Sequence, residues 1–195
     1  MMPKGEEKAQ RIVEAATNLF RLYGFKRTSL DLLAAEAGVA KPTVYAYFAD
    51  KDAIFRAVVE SLCEELLTAA QAASQSSLPL EEKLAAMLSA KFTRHWELIH
   101  SSPHARELHD SQGQLGAETI KRADRAFLKL LVACLQDAEE LDLEQAGLSV
   151  TAAAQLLVRG ASGASYDATS TTMHKRLIAE LVRVLIAGLS RRKLR

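Results

Sequence analysis

Hydroxyl, phenol and ammonium side chains are concentrated between residues 28 and 51, where they comprise Thr28, Ser29, Lys41, Thr43, Tyr45, Tyr47 and Lys51. Such groups, together with the free N–H groups at the start of a helix, are common partners of phosphate oxygens. A proline such as Pro42 or a threonine methyl group can contact a thymine methyl group, and a lysine can donate to guanine. This chemistry suits the backbone and base edges of a nucleic acid, provided that local structure holds these side chains outward.

The elements that would position them are helices. Apolar residues recur at spacings of three and four over residues 6–23 and predict an amphipathic helix that ends at Gly24. Thr28 and Ser29 offer a hydroxyl cap to a second, short helix, which ends at Gly38. Pro42 is suited to the first turn of a third helix, which runs to Phe48.

A long fourth helix begins near Lys51, after a cap at Asp50, and ends near Ser74. Two short helices that are joined by a turn and braced by an earlier helix outline a helix-turn-helix. In such a unit the outward face of the short helix reads base edges, while its neighbours grip phosphate.

At this point the sequence resembles a known family. The run Ala37-Gly38-Val39-Ala40-Lys41-Pro42-Thr43-Val44-Tyr45-Ala46-Tyr47-Phe48, with Arg11-Ile12, Leu19-Phe20, Gly24-Phe25 and Thr28-Ser29 before it, is similar to the N-terminal domain of TetR/AcrR transcriptional regulators. The resemblance covers residues 10–56. It implies an all-α protein with an N-terminal three-helix helix-turn-helix domain in residues 1–56. It also implies a helical ligand-binding and dimerisation body in residues 57–195.

Carried onto this sequence, the family's DNA contacts fall on Thr28, Ser29, Lys41, Pro42, Thr43, Tyr45, Tyr47 and Lys51. Residues 1–56 hold nine Lys or Arg and seven Asp or Glu, a net charge of +2. This charge is small for one protomer, and a dimer doubles the contacts. We therefore expect a homodimer on double-stranded operator DNA.

The remainder of the chain has helical periodicity over Glu81 to His100, Ala117 to Glu140, a segment from Val150, and Thr172 to Leu189. The last helix is apolar on more than one face, which indicates burial. The resemblance implies that the last two helices pair with their twofold mates, through Leu156, Gly160, Ala164, Leu177, Leu181 and Leu185. An ordinary monomer core is the alternative interpretation.

The resemblance also implies a ligand pocket in this body, for which the candidates are Met87, Phe92, His95, Trp96, Phe127, Leu131 and Tyr166. For each of them, plain core packing is the alternative. Four of the five histidines fall between His95 and His109. We predict no metal site there, because Pro103 interrupts the only pair spaced four apart and no cysteine lies nearby.

Composition excludes several other classes of protein. The chain has 195 residues and a net charge of +1, and no apolar run approaches the roughly 18 residues of a membrane span. Its two cysteines are too few and too distant for a disulfide framework or a zinc knuckle, and the polar start is unlike a signal peptide. We therefore expect a cytoplasmic protein that makes no contact with a membrane.

The function that follows is a sequence-specific transcriptional repressor that a small-molecule effector releases from a near-palindromic operator. An activator, or a family member that is regulated by a protein partner, is the alternative. We predict no enzymatic activity, because the sequence contains no Ser-His-Asp set, P-loop, HExxH motif or suitably spaced carboxylate pair. No cofactor is expected apart from the unidentified effector.

Overall fold

A computed structural model describes residues 4–100 and 115–190. The described residues divide into two compact units, one from residues 4–64, 98–100 and 115–122 and the other from residues 65–97 and 123–190. Within the described residues the regular structure is helical, apart from an isolated antiparallel bridge between Leu141 and Ser190. The predicted all-α class is confirmed, while the functional division after residue 56 stays a prediction.

The four helices predicted at the start of the chain are present, and the last of them continues from the first unit into the second. Helix α1 spans Lys4–Tyr23, α2 spans Leu30–Glu36, α3 spans Lys41–Tyr47, and α4 begins at Lys51 and ends at Ser74. Residues spaced four apart on α1, Ile12, Ala16 and Phe20, are fully buried. This spacing places their side chains on one face of the helix, which is the face that packs on the core.

Three phenylalanines fix the turn that follows α1. The ring of Phe25 lies edge-on to Phe20, with centroids 5.3 Å apart, and edge-on to Phe55 of α4, at 4.9 Å. Edge-to-face pairs at such distances are favourable beyond the apolar area that they bury. Gly24 has a φ of +84° and lets the chain reverse directly after α1, so that Phe25 reaches this cluster.

The second unit contains most of the remaining helices. Helix α5 spans Leu80–Leu88, a π-helical turn spans Ser89–Thr93, and α6 spans Arg94–His100. Helix α7 spans Ala117–Gln136, α8 spans Val150–Asp167, and α9 spans Thr171–Leu189. The hydroxyls of Ser149 and Ser170 cap α8 and α9 by accepting from the backbone N–H three residues on.

Two of the predicted helices differ in detail. The helix predicted from Glu81 to His100 contains the π-helical turn, which changes the faces on which the following side chains lie. The helix predicted to reach Glu140 ends at Gln136. The residues beyond it include Asp137, Glu139 and Glu140, and carboxylates are unfavourable at the negative end of a helix dipole. None of the described helices is long and apolar enough to cross a membrane.

Candidate nucleic-acid interface

A tight turn between α2 and α3 sets the angle of the third helix. Gly38 has a φ of +63°, a conformation that favours glycine. The guanidinium of Arg11, on α1, donates to the carbonyl oxygens of Ala37 at 2.6 Å and Gly38 at 3.3 Å. A Cβ atom at residue 38 would lie 2.7 Å from Nη2 of Arg11. The backbone conformation therefore favours glycine at this position, and a larger residue would also displace the Arg11 guanidinium.

Helix α3 presents two phenol side chains to solvent. Val44 is fully buried and anchors the helix, whereas Tyr45 is 51% exposed and Tyr47 is 39% exposed. Pro42 lies in the first helical turn, where its missing N–H removes no hydrogen bond. Thr43 is half-buried beside it. An outward face of this composition can reach base edges and phosphates in a major groove.

Lys41, the first residue of α3, is paired with Asp31 of α2. Its ammonium group lies 2.9 Å from the Asp31 carboxylate, and both side chains are exposed. The hydrogen bond to Asp31, followed by the charge of Asp31, raises the pKa of Lys41 above its ordinary value. Lys41 thus places a positive charge at the start of α3, and this charge already has one anionic partner.

Lys51 and Thr28 make contacts within the domain. The ammonium of Lys51 donates to the carbonyl oxygens of Phe25, Lys26 and Thr28 at 2.9, 3.3 and 3.2 Å, and lies 4.6 Å from the centre of the Phe25 ring. Thr28 is buried and donates to the carbonyl oxygen of Gly24 at 2.9 Å. Ser29 is the residue that caps α2, since its hydroxyl accepts from the N–H of Leu32. The DNA contacts predicted for Thr28 and Lys51 stay predictions, but both groups also hold the domain together.

The predicted pocket residues do not form one group. Met87, Phe127 and Leu131 are fully or almost fully buried in the core of the second unit. Phe92 packs against that core and Trp96 is 8% exposed, so these five residues belong to the interior. His95 is exposed, and Tyr166 near the end of α8 is 90% exposed. The structure therefore does not bring His95 and Tyr166 into the interior of this unit.

A buried polar cluster escaped the sequence analysis. The His174 ring is fully buried, with Nδ1 2.9 Å from the Thr93 hydroxyl and Nε2 2.9 Å from the Ser165 hydroxyl. Its ring centre lies 5.8 Å from that of Trp96. The sequence did contain a sign that His174 is buried. It precedes the buried residues Ile178, Val182 and Ile186 at spacings of four, which places it on the same face of the helix. The cluster joins α8, α9 and the end of the π-helical turn.

The predicted interface residues lie on α8 and α9, and two of them contact each other within the protomer. A Cβ atom on Gly160 would lie 2.6 Å from Cδ2 of Leu181, so the glycine admits the leucine side chain. Leu156 is 39% exposed, while Ala164, Leu177, Leu181 and Leu185 are half-buried. Val184 was absent from the predicted set and is 70% exposed on α9. Both helices thus carry exposed or half-buried apolar side chains, and the predicted pairing with the twofold mates stays a prediction.

Within the described part of the chain, no three His, Cys, Asp or Glu side chains come together as metal ligands. His104 and His109 lie outside the described residues.

Comparison with known proteins gives a family and several relatives. Residues 12–58 match the family model for bacterial regulatory proteins of the tetR family. An uncharacterized HTH-type transcriptional regulator of Bacillus subtilis, YhgD, is 28% identical over 137 residues, which are 67% of this chain and 69% of the relative. The fatty acid metabolism regulator protein of the same organism is 23% identical over 160 residues, 80% of either chain.

Solved structures share the fold. A TetR-family transcriptional regulator from Mesorhizobium loti superposes with a TM-score of 0.68 at 22% identity, covering 97% of this chain and 100% of the other. FadR from Bacillus subtilis, solved in complex with stearoyl-CoA, gives a TM-score of 0.61 at 19% identity, covering 92% and 98%. The family model and the curated relatives together indicate a transcriptional regulator of the helix-turn-helix class. Residues 12–58 carry the domain of the tetR family of bacterial regulatory proteins, and the chain as a whole is similar in fold to regulators of that family.

Proposed function

We propose that the protein is a homodimeric transcriptional repressor that binds a near-palindromic operator through α3 and leaves it when an effector binds the body. The observation that carries the DNA-binding part is the outward face of α3, where Tyr45 and Tyr47 are exposed on a helix anchored by Val44. A short helix fixed in this way can enter a major groove without unfolding or reorienting.

The proposal of a dimer has two supports. The net charge of +2 over residues 1–56 gives one protomer few phosphate contacts, and a second protomer doubles them. The exposed side chains of Leu156 and Val184 also leave apolar surface on α8 and α9 for a partner to cover. A twofold dimer would then present two copies of α3 to half-sites about 34–36 Å apart.

The effector class that we propose is a long-chain acyl compound. The support is the likeness to the fatty acid metabolism regulator protein and to FadR solved with stearoyl-CoA. The core of the second unit, which includes Met87, Phe127 and Leu131, is apolar as the surroundings of an acyl chain must be. Such a ligand releases DNA only if it binds the DNA-incompetent state more tightly than the competent one.

The first experiment is selection of genomic fragments on the purified protein at a stated salt concentration. We expect the wild type to enrich a near-palindrome, and Tyr45→Ala to lose this enrichment while it keeps the helical circular dichroism spectrum. Tyr23→Ala is the matched control, because Tyr23 on α1 is 50% exposed and Tyr45 is 51% exposed. Equal enrichment by both variants would remove α3 from the interface.

The second arm adds stearoyl-CoA to the protein bound to the enriched fragment. Release of the fragment supports the proposed effector class, and transcription from the fragment in a reporter strain then distinguishes repressor from activator. A fragment that stays bound with every acyl compound would favour the alternative, a regulator that responds to a protein partner. In this proposal the protein acts in the cytoplasm, has no cofactor besides the effector, and catalyses no reaction.

A further inference from the structure

Lys91, in the π-helical turn, is a cation at the border of the apolar interior of the second unit. Its side chain is 18% exposed and its ammonium group is paired with the carboxylate of Asp124 on α7. The same ammonium lies 5.4 Å from the ring centre of Phe127 and 5.7 Å from that of Phe92. Lys91 therefore forms an ion pair and also lies close to two aromatic rings.

The two partners of this ion pair differ in their access to water. Asp124 is 52% exposed, whereas Lys91 is 18% exposed. Lys91 is partly buried, and an anionic partner compensates the partial desolvation of its ammonium group. The carboxylate of Asp124 can turn to water at small cost, whereas Lys91 is held by the rings beside it. Another anion could therefore replace the Asp124 carboxylate beside Lys91 more easily than another cation could replace Lys91.

The surroundings of Lys91 indicate what such an anion would carry. Phe127 is 1% exposed and belongs to the same core as Met87 and Leu131, which are fully buried. An anion at Lys91 would thus have apolar side chains next to it, and a ligand with an acidic head and an apolar chain satisfies both parts. A neutral ligand would leave the ion pair with Asp124 in place.

We propose that Lys91 binds the anionic head group of an amphipathic effector, and that Asp124 is the internal counter-ion which this head group displaces. The assignment rests on the proposed effector class. A carboxylate and a phosphate share the required chemistry, since each offers negatively charged oxygen atoms to an ammonium group.

The test measures the affinity of stearoyl-CoA, stearate and uncharged stearyl alcohol for the full-length protein. The fluorescence of Trp96, the single tryptophan, reports binding in the same unit. Lys91→Met should weaken both anionic ligands about tenfold or more and leave stearyl alcohol unchanged. Asp124→Asn should strengthen the anionic ligands several-fold, because the competing carboxylate is gone. Stearate offers a carboxylate and stearoyl-CoA offers phosphates, so the ligand that Lys91→Met weakens more identifies the group that Lys91 binds.

The test is decisive because Lys91→Met and Asp124→Asn should change the affinity for anionic ligands in opposite directions. If the ion pair only braces the helices, both variants lower the unfolding temperature and neither strengthens an anionic ligand, which overturns the assignment. Wild-type binding of stearoyl-CoA that Lys91→Met leaves intact also overturns it, but keeps the effector class. Failure of the wild type to bind any of the three ligands overturns the effector class and the assignment together.

Discussion

At the scale of single residues, we expect the ion pair between Lys41 and Asp31 to limit how strongly the start of α3 attracts DNA. Asp31→Asn removes the anion that now occupies the Lys41 ammonium and leaves the cation free for a phosphate. We expect several-fold tighter binding to a duplex of arbitrary sequence. The dependence of log K on log salt should steepen by about 0.9 per protomer, the slope for one additional phosphate contact. Fluorescence anisotropy at several salt concentrations measures both quantities.

The control for this prediction is Glu36→Gln, which makes the same change of charge at the other end of α2. Glu36 is exposed and forms no ion pair within the described residues. An equal effect of both variants would attribute the change to net charge alone. An unchanged salt slope in Asp31→Asn would exclude a phosphate contact by Lys41.

A second prediction at this scale concerns Gly38. Gly38→Ala places a Cβ atom against the Arg11 guanidinium and forces alanine into a positive φ. The positive φ alone should lower the unfolding free energy by roughly 1 kcal/mol or more, because alanine disfavours this conformation. Displacement of the Arg11 guanidinium should lower it further. Chemical denaturation measures the sum. Gly163→Ala, inside α8 and with nothing within 4 Å of the added Cβ atom, is the control and should raise stability by about 0.5–1 kcal/mol, because alanine favours the helix over glycine.

At the scale of elements, Lys51 connects the start of α4 to the turn between α1 and α2. Lys51→Met keeps most of the apolar stem and removes three hydrogen bonds to backbone carbonyls. We expect a loss of about 2 kcal/mol in unfolding free energy, because those carbonyls lose a charged partner. Thermal unfolding followed by circular dichroism measures it.

Lys8→Met is the control for Lys51→Met, since Lys8 is an exposed lysine on α1. Both variants remove one positive charge. If they lower DNA affinity equally without a difference in stability, Lys51 acts through its charge rather than as a brace.

At the scale of the whole molecule, Val184 offers the clearest test of the dimer. Val184→Arg places a charge in the proposed interface, where it would be desolvated without a partner. Because Val184 is 70% exposed in the protomer, the fold should survive. We expect monomers in sedimentation velocity, and loss of operator binding with them. Leu181→Arg is less informative, because Leu181 already packs against Gly160 within one protomer.

Ala179→Arg is the control, because Ala179 is exposed on another face of α9. A Val184→Arg protein that sediments as a dimer would move the interface away from this face.

Features of the fold and of the candidate site could be predicted from the sequence where they depend on residues close together in the chain. The helices α1 to α4 follow from local rules, since the spacing of Ile12, Ala16 and Phe20 and the positions of Gly24 and Pro42 are visible in the sequence. The contacts of Arg11 and Lys51 were not predictable, because each joins residues about 25 positions apart. The exposed position of Tyr166 was missed for a related reason, since a tyrosine at a helix end carries no local sign of its orientation.

The guanidinium of Arg11 also has a consequence for how this domain folds. Helices α2 and α3 have seven residues each, well below the roughly 12–15 at which isolated helices become marginally stable in water. The end of α2 receives its cap from α1, and the turn before α2 is held by α4. A peptide of residues 28–48 should therefore be unstructured, and the two short helices should form only once α1 and α4 have come together. Any transplant of this DNA-reading unit into another protein must carry both flanking helices with it.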